Sequence, residues 1–262
     1  MKLFRTSTQL FAIAAATALF ISCSDEKATS KQEEEINVEP LVAVDLGLKV
    51  KWASKNLGAQ NPQEFGDYYA WGEIEPYYAE GHSRDRECKD WREGKSGYDW
   101  ASYRWSEDSF DKLTKYNTKS TYGKVDNILQ LQRGLNDGET NDDVASVVLG
   151  ESWRIPTKED WEELMTKCKW EWKQSNKDKE YSHSGYLVTA ENGNSIFLPA
   201  AGKWEGTTGV PASPASGSYW SSTLSSETPG WAWWLNFLKS NVAGYYSGGV
   251  RANGLSVRPV SD

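Results

Sequence analysis

An alternation of apolar and polar residues predicts that residues 42–52 form the first strand of the folded part of the chain. Successive side chains of a strand point to opposite faces, so a period of two is typical of a half-buried strand. The apolar members of the pattern are Val44, Leu46, Leu48, Val50 and Trp52. A second, aromatic strand is predicted at 65–71, after a turn at Asn61-Pro62. Residues 75–117 are rich in charge, Gly and aromatic side chains without a steady period, which predicts a long loop region.

Two segments have the spacing of a helix. In 141–148, Asp142 and Asp143 are predicted in a first turn, where carboxylates favour the helix dipole, and Gly150 is predicted to end the helix. One face of this helix would carry Val144, Val147 and Val148. The clearer helix follows Arg154-Ile155-Pro156, with Thr157 as its cap and Asp160 at its third position. Its core face is marked by residues at i, i+3, i+4 and i+7, which are Trp161, Leu164, Met165 and Cys168.

The remainder of the chain has the patterns of strands. Trp170 and Trp172 alternate with charged residues, and Asn192-Gly193 between two apolar runs, 186–191 and 194–198, is a strong hairpin signal. Further strands are predicted at 218–223, 231–239, 242–246 and 255–260. The sequence therefore predicts a single α+β domain, strand-rich, with one or two short helices and long irregular loops.

The N-terminus has the layout of a secretory signal. Lys2 and Arg5 precede an apolar stretch, residues 10–21, which is too short to cross about 30 Å of hydrocarbon as a stable helix. Phe20-Ile21-Ser22-Cys23 resembles a bacterial lipobox, which would make Cys23 the lipidated first residue of the mature protein. The alternative is an ordinary cleaved signal with an incidental cysteine. The prediction is a signal peptide at 1–22, an acidic flexible tether at 23–40 and a folded domain at 41–262.

Composition narrows the classes of partner. The formal net charge of −8 argues against nucleic-acid binding, because a protein that binds nucleic acid needs a basic surface. Fourteen Trp and thirteen Tyr can fill a core, and their flat faces can also bind ligands. Besides Cys23, the chain has only Cys88 and Cys168, which could pair in an oxidising envelope, although the sequence does not show that they are close. His82 and His183 stand far apart without a Cys-x-x-Cys motif, so a zinc site is not expected.

Six segments carry a family resemblance: VDLGLKVKWASKNLGA (44–59), EFGDYYAWGE (64–73), ESWRIPTKEDWEEL (151–164), GNSIFLPAAG (193–202), SYWSST (218–223) and GLSVRPV (254–260). Together they resemble the FISUMP domain, the "Fibrobacter succinogenes major paralogous" domain of Bacteroidota lipoproteins. Ser24-Asp25-Glu26 also resembles the acidic surface-export signal of such lipoproteins. The resemblance implies an outer-membrane lipoprotein, anchored at the cell surface, with a fold related to formylglycine-generating enzymes and C-type lectins. In that fold the first and last strands of the domain meet.

Two functional motifs of the related proteins are not found in this sequence: a copper-binding cysteine pair and a calcium-binding lectin motif. Formylglycine-generating enzymes bind copper through a late pair of cysteines, and no cysteine follows Cys168 here. C-type lectins bind sugar through calcium, yet Trp234-Leu235-Asn236 is not followed by the acid of their Trp-Asn-Asp type motif. The acidic loop 136–143 is rich in oxygen ligands but does not have EF-hand spacing, so calcium stays an open alternative to a solvated loop, and no other cofactor is expected.

Catalytic motifs are scarce. On an extended segment Glu73 and Glu75 would face one side about 6.6 Å apart, at the lower edge of the separation that inverting glycosidases use. Alternating acids on a strand are more often its solvent face. The chain has no G-x-S-x-G, P-loop or G-x-G-x-x-G motif.

Aromatic residues are the remaining candidates for a binding surface. Trp231 and Trp233 share one face of a predicted strand and Trp234 the other, near Asn236, Arg251 and Asn253. Trp204, in a loop predicted at 202–218, and Tyr77-Tyr78 are expected to be exposed. The candidate ligand-binding residues are Tyr77, Tyr78, Trp204, Trp234, Tyr245, Tyr246 and Arg251. The predicted function is non-catalytic binding of a glycan or a protein; a structural or adhesive subunit, and more distantly a glycoside hydrolase using Glu73, are the alternatives.

Overall fold

The computed structural model describes residues 40–76, 97–134, 141–175, 180–206, 208–211, 216–241 and 248–262. All of them belong to one compact unit, Asn37–Asp262. Within this described part there are two α-helices, α1 (Val144–Leu149) and α2 (Lys158–Lys167). The strands, in chain order, are β1 (Ala43–Val44), β2 (Lys51–Ala53), β3 (Tyr68–Tyr69), β4 (Trp153–Arg154), β5 (Lys169–Lys173), β6 (Gly185–Thr189), β7 (Ser195–Pro199), β8 (Gly202–Glu205), β9 (Thr208–Pro211), β10 (Ser216–Leu224), β11 (Trp231–Leu238), β12 (Gly249–Val250), β13 (Leu255–Ser256) and β14 (Val260–Ser261). The predicted strand-rich α+β class is confirmed.

The strands form three sheets. The first has the order β1-β2-β14-β4, so a strand from the start of the domain pairs with the last strand, Val260 lying opposite Trp52. The second has the order β12-β11-β10-β13-β3, with β8 added beside β10 and β9 beside β8. The third is the antiparallel sheet β5-β6-β7. The predicted hairpin at Asn192-Gly193 is confirmed as the turn between β6 and β7.

The predicted strand at 42–52 is interrupted. Gly47 has a φ of 67°, a left-handed conformation that ends an extended segment, and its N–H donates to Asp45 Oδ1 at 2.8 Å. The chain therefore turns between β1 and β2. The alternation still marks the core correctly, because Leu46, Val50 and Trp52 are buried.

The last predicted strand, 255–260, is two short strands in different sheets. β13 pairs with β10 and β3, whereas β14 pairs with β2 and β4. Pro259 lies between them and has no N–H to donate to a ladder. The neighbouring Arg258 is fully buried at this crossing, where its guanidinium donates to the carbonyl oxygens of Ala53 and Phe197 at 3.0 and 2.7 Å. Burial lowers the pKa of Arg258 to about 10.

α1 begins three residues later than the predicted start at residue 141, and it turns a different face inward. Asp143 is its N-cap, accepting hydrogen bonds from the N–H groups of Ala145 and Ser146, and the helix ends at Gly150 as predicted. Of the three valines on the predicted face, only Val144 is buried, while Val147 and Val148 are 44 % and 56 % exposed. Asp143 also accepts from the N–H of Ile155, which fixes the first turn of the helix against the core. Burial raises the pKa of the Asp143 carboxyl.

α2 confirms the helix predicted after Pro156. The Thr157 hydroxyl accepts from the N–H of Asp160 at 3.2 Å, and Asp160 Oδ2 accepts from the N–H of Thr157 at 2.7 Å, which is a capping box. Trp161 and Leu164 are fully buried. They pack in the largest core cluster with Trp52, Tyr219 and other residues of all three sheets.

Replacing Thr157 with alanine is expected to lower the free energy of unfolding by about 1 kcal/mol, because one N–H of the first helical turn loses its acceptor. Chemical denaturation followed by circular dichroism measures this change. Thr157→Ser keeps the hydroxyl and serves as the control. Equal losses in both variants would contradict the capping box.

Candidate functional site

A half-buried tryptophan, Trp234, lies on β11 with polar side chains around it. β11 pairs antiparallel with β10, which places Trp234 opposite Trp220 and Asn236 opposite Ser218. Residues two apart on a strand share a face, so Asn236 lies beside Trp234. Its amide donates to the hydroxyl of Ser218 at 3.0 Å.

Charged side chains of β8 reach the same face. The Lys203 ammonium lies 5.8 Å from the centre of the Trp234 ring and 2.5 Å from Glu205 Oε1. Asn253, which is buried, also donates to Glu205 Oε1 at 2.8 Å. The hydrogen bond from Lys203 holds the pKa of Glu205 below its usual range. We call Lys203, Glu205, Trp234 and Asn236 the Trp234 surface; Ser218 and Asn253 lie beneath it.

A glycine fixes the position of the Trp234 ring. A Cβ atom on Gly249 of β12 would lie 3.1 Å from atoms of both Trp220 and Trp234, closer than nine in ten real Cβ contacts. The backbone of β12 therefore packs directly against the two indoles. One part of the Trp234 ring is held in the core while the remainder stays accessible beside Lys203 and Asn236.

Such an arrangement is suited to holding a ligand with an apolar face and a polar rim. The indole offers a flat surface, while the ammonium, carboxylate and amide groups offer hydrogen-bond donors and acceptors in fixed positions. Binding sites for small molecules commonly combine aromatic side chains with a few placed polar groups.

Trp204 was predicted to be an exposed loop residue, and this prediction is wrong. Residues 202–211 contain the hairpin of β8 and β9, and the Trp204 side chain is only 6 % exposed. Its ring packs against those of Tyr68 and Tyr98, whose centres lie 6.2 and 6.5 Å from the centre of the Trp204 ring. Because neighbours on a strand alternate, Trp204 faces the core and Lys203 faces Trp234. Trp204 and Trp234 are therefore not brought together.

Arg251, predicted to contact a ligand, is instead fully buried. Its guanidinium donates to the carbonyl oxygens of Lys115, Tyr116 and Pro229 and to the hydroxyl of Tyr103, at 2.9 to 3.0 Å. The ring of Trp71 lies 4.9 Å from its central carbon. These contacts hold the irregular segment 97–134 onto the second sheet, so Arg251 is a structural residue.

A buried polar cluster continues from Arg251. The Tyr103 hydroxyl donates to the carbonyl oxygen of Trp71 at 2.6 Å, and the Tyr116 hydroxyl donates to Asp142 Oδ2 at 2.5 Å. Burial raises the pKa values of the Tyr103 and Tyr116 hydroxyls well above the usual value for tyrosine. Asp142 also forms an ion pair with Lys115 at 2.8 Å. Asp142, one of the candidate calcium ligands, is therefore buried, and its Oδ2 atom already contacts Tyr116 and Lys115.

Neither the pair Glu73 and Glu75 nor the described part of the acidic loop, residues 141–143, forms a site. Glu73 is buried and accepts from the N–H of Arg104 at 2.7 Å, whereas Glu75 is exposed, so the two do not share one face of a strand. Residues 136–140 of the acidic loop lie outside the described residues. Among the described residues there is no group of three or more His, Cys, Asp or Glu side chains that could hold a metal ion.

Several predicted site residues lie outside the described residues: Tyr77, Tyr78, Tyr245, Tyr246, Cys23 and Cys88. The predicted strand 242–246 and His82 also lie outside them. Cys168 is a half-buried free thiol at the end of α2, and burial raises its pKa. Lys203 and Glu205 were not predicted, because nothing in the sequence shows that β8 lies beside β10.

No family model matches the chain, and no match is found among curated proteins or solved structures. The resemblance to the FISUMP domain therefore rests on the six sequence segments. Neither helix of the described residues is long and apolar enough to cross a membrane.

Proposed function

We propose that this chain is a lipid-anchored cell-surface protein that binds a glycan at the Trp234 surface and catalyses no reaction. The observation that carries this proposal is the half-buried indole of Trp234 beside the side chains of Lys203 and Asn236. A sugar ring has one face of C–H groups and a rim of hydroxyls. The first can stack on an indole, and the second can exchange hydrogen bonds with an ammonium, a carboxylate or an amide.

We further propose that the fold is C-type-lectin-like. Two observations support this: the pairing of β2 with β14 near the two ends of the domain, and the segment 97–134, whose only regular element is the 3-10 turn Ser120–Tyr122. Loops held on a rigid scaffold are common places for binding surfaces. Calcium is not required by this proposal, because the Trp234 surface offers a single carboxylate, that of Glu205.

Replacing Trp234 with alanine is expected to weaken glycan binding by about 2 kcal/mol, roughly thirtyfold, because truncating a stacked aromatic ring removes hot-spot contacts. A glycan array followed by titration of the hits measures this loss. Trp233→Ala is the matched control, since Trp233 is half-buried on the opposite face of the same strand, with the Lys158 ammonium 4.4 Å from its ring. Binding is expected to persist in chelator.

An assembly role is the second candidate function, because apolar side chains stand exposed elsewhere. Phe110 is 54 % exposed, and Val147 and Val148 form an exposed pair on α1. A structural or adhesive subunit would use such groups against a protein partner. An array without hits, together with a specific protein captured by crosslinking on cells, would favour this function over sugar binding. Hydrolysis by Glu73 is not supported by its buried, hydrogen-bonded position.

Lipid anchoring rests on the segment Phe20-Ile21-Ser22-Cys23. Cys23→Ser is expected to release the protein from the membrane fraction and abolish palmitate labelling, because each buried CH₂ of an acyl chain contributes about 0.8 kcal/mol to membrane binding. Cys168→Ser is the control and should leave both unchanged. Palmitate labelling that survives in Cys23→Ser would show that the lipobox is assigned wrongly.

A further inference from the structure

β5 is an edge strand. In the sheet β5-β6-β7 it pairs with β6 on one side, and no other strand of the described residues pairs with it. An edge strand presents main-chain N–H and C=O groups to which another strand can add. Its sequence, Lys-Trp-Glu-Trp-Lys, alternates charged residues with tryptophans. The two tryptophans are half-buried against the largest core cluster, so the charged residues lie on the opposite face of the sheet.

The hydrogen bonds of the β6–β7 hairpin show which residues of β5 are directed to this open edge. Residue pairs in an antiparallel ladder alternate between hydrogen-bonded and non-hydrogen-bonded pairs. The N–H of Ala190 donates to the carbonyl of Asn194 at 2.9 Å, so the even-numbered residues of β6 bond to β7 and the odd-numbered ones to β5. The odd-numbered residues of β5 lie opposite these. The main-chain N–H and C=O groups of Trp170 and Trp172 therefore point away from β6, toward the open edge.

A second copy of β5 can add at this edge in the antiparallel direction, around a two-fold axis. Such an axis passes through one residue of β5, which then lies opposite its own copy. An axis at any of the three charged residues would set two like charges opposite each other, which is unfavourable. An axis at Trp170 would require the N–H of Cys168 to bond to the second copy, but that N–H already donates to the carbonyl of Leu164 at 3.3 Å.

An axis at Trp172 meets neither obstacle. The N–H of Trp172 in each copy then donates to the Trp172 carbonyl of the other, and Trp170 lies opposite Gln174 of the second copy. Glu171 lies opposite Lys173 of the second copy, and the two-fold axis repeats this pair. Lysine on an edge strand usually keeps other strands away, but here each lysine would face a glutamate. Within one chain the same two side chains form an ion pair at 2.5 Å, so both charges already lie together beside the edge.

We propose that the chain forms a symmetric dimer in which β5 of one protomer pairs antiparallel with β5 of its partner around Trp172. The two three-stranded sheets become one sheet of six strands. Complementary charges fix the register, and the main-chain groups of the two edges supply the hydrogen bonds. A single strand pair is smaller than the interface of a permanent dimer, so this dimer is reversible. The proposal does not rest on sugar binding, because Trp234 belongs to the second sheet.

Sedimentation equilibrium of the full-length chain in a mild detergent, at concentrations up to about 1 mM, tests the proposal. Glu171→Lys and Lys173→Glu each set like charges opposite each other and are expected to weaken the dimer about tenfold or more. The double variant Glu171→Lys with Lys173→Glu restores opposite charges and should dimerise like the wild type. Glu191→Lys, the same change at an exposed turn between β6 and β7, is the matched control and should leave the dimer unchanged.

A mixture of the two single variants gives the sharpest test. Neither variant keeps the ion pair of Glu171 and Lys173 within its own strand, yet every lysine of one would face a glutamate of the other. The mixed dimer is therefore expected to be about tenfold tighter, or more, than the dimer of either variant alone.

Three results would overturn the proposal: no dimer of the wild type up to about 1 mM, a dimer that Glu171→Lys leaves unchanged, or single variants that do not pair with each other. Glu171 is exposed, and both substituted residues lie outside the core clusters, so the variants are expected to fold. Circular dichroism checks this. Trp234→Ala should leave the dimer unchanged, so failure of this proposal and failure of glycan binding are separate outcomes.

Discussion

Replacing Arg251 with methionine is expected to lower the free energy of unfolding by about 3–5 kcal/mol, because it breaks a buried hydrogen-bonded network by removing its central donor. Three carbonyl oxygens and the Tyr103 hydroxyl would lose a charged donor at once. Each buried polar group left unsatisfied costs about 1–3 kcal/mol. Methionine fills most of the space, so the loss reports on the hydrogen bonds more than on a cavity.

Urea denaturation of the full chain measures this loss. Arg104→Met is the matched control, because Arg104 is exposed and makes a cation–π contact at 4.6 Å with Trp105. Its loss should stay below about 1 kcal/mol. Wild-type stability in Arg251→Met would mean that the cost of burying the guanidinium cancels its hydrogen bonds, and Arg251 would no longer explain how segment 97–134 is held.

Replacing Trp161 with alanine is also expected to cost about 3–5 kcal/mol, since it opens a cavity in the largest core cluster. The ring of Trp161 lies 4.6 Å from that of Trp52 and 5.9 Å from that of Tyr219. Its indole N–H donates to the carbonyl of Trp220 at 3.1 Å. The residue therefore joins α2 to the first and second sheets.

The melting temperature of Trp161→Ala measures this effect, with Trp233→Ala as the control. Trp233 is half-buried and lies outside the three core clusters, so its loss should be clearly smaller. An unchanged melting temperature in Trp161→Ala would show that the buried face of α2 is assigned wrongly.

The same helix shows what the sequence can predict. Capping by Thr157 and Asp160 and the spacing of Trp161 and Leu164 are local signals, and all four residues lie where they were expected. The hairpin at Asn192-Gly193 is equally local. Local patterns were less successful where a turn intervenes, as at Gly47, and where a helix is too short for its apolar face to be decided by periodicity, as in α1.

Non-local contacts explain the remaining errors. Arg251 and Trp204 are residue types that often bind ligands, but contacts with residues distant in sequence, such as Pro229 and Tyr98, place both in the core. Lys203 approaches Trp234 only because β8 joins β10 in parallel at Gly202 and Gly217. A single sequence carries no signal for such pairings, so the Trp234 surface could be predicted only for Trp234 itself and its near neighbour Asn236.

The most direct test of sugar binding at Trp234 is the indole N–H spectrum of the ¹⁵N-labelled protein during titration with a glycan from the array. Each of the fourteen tryptophans contributes one indole N–H resonance. The resonance that is missing from the spectrum of Trp234→Phe is that of Trp234. The proposal predicts that the Trp234 resonance shifts in a saturable way while that of Trp233, on the opposite face, does not. Binding of the glycan with the Trp234 resonance unmoved would contradict it.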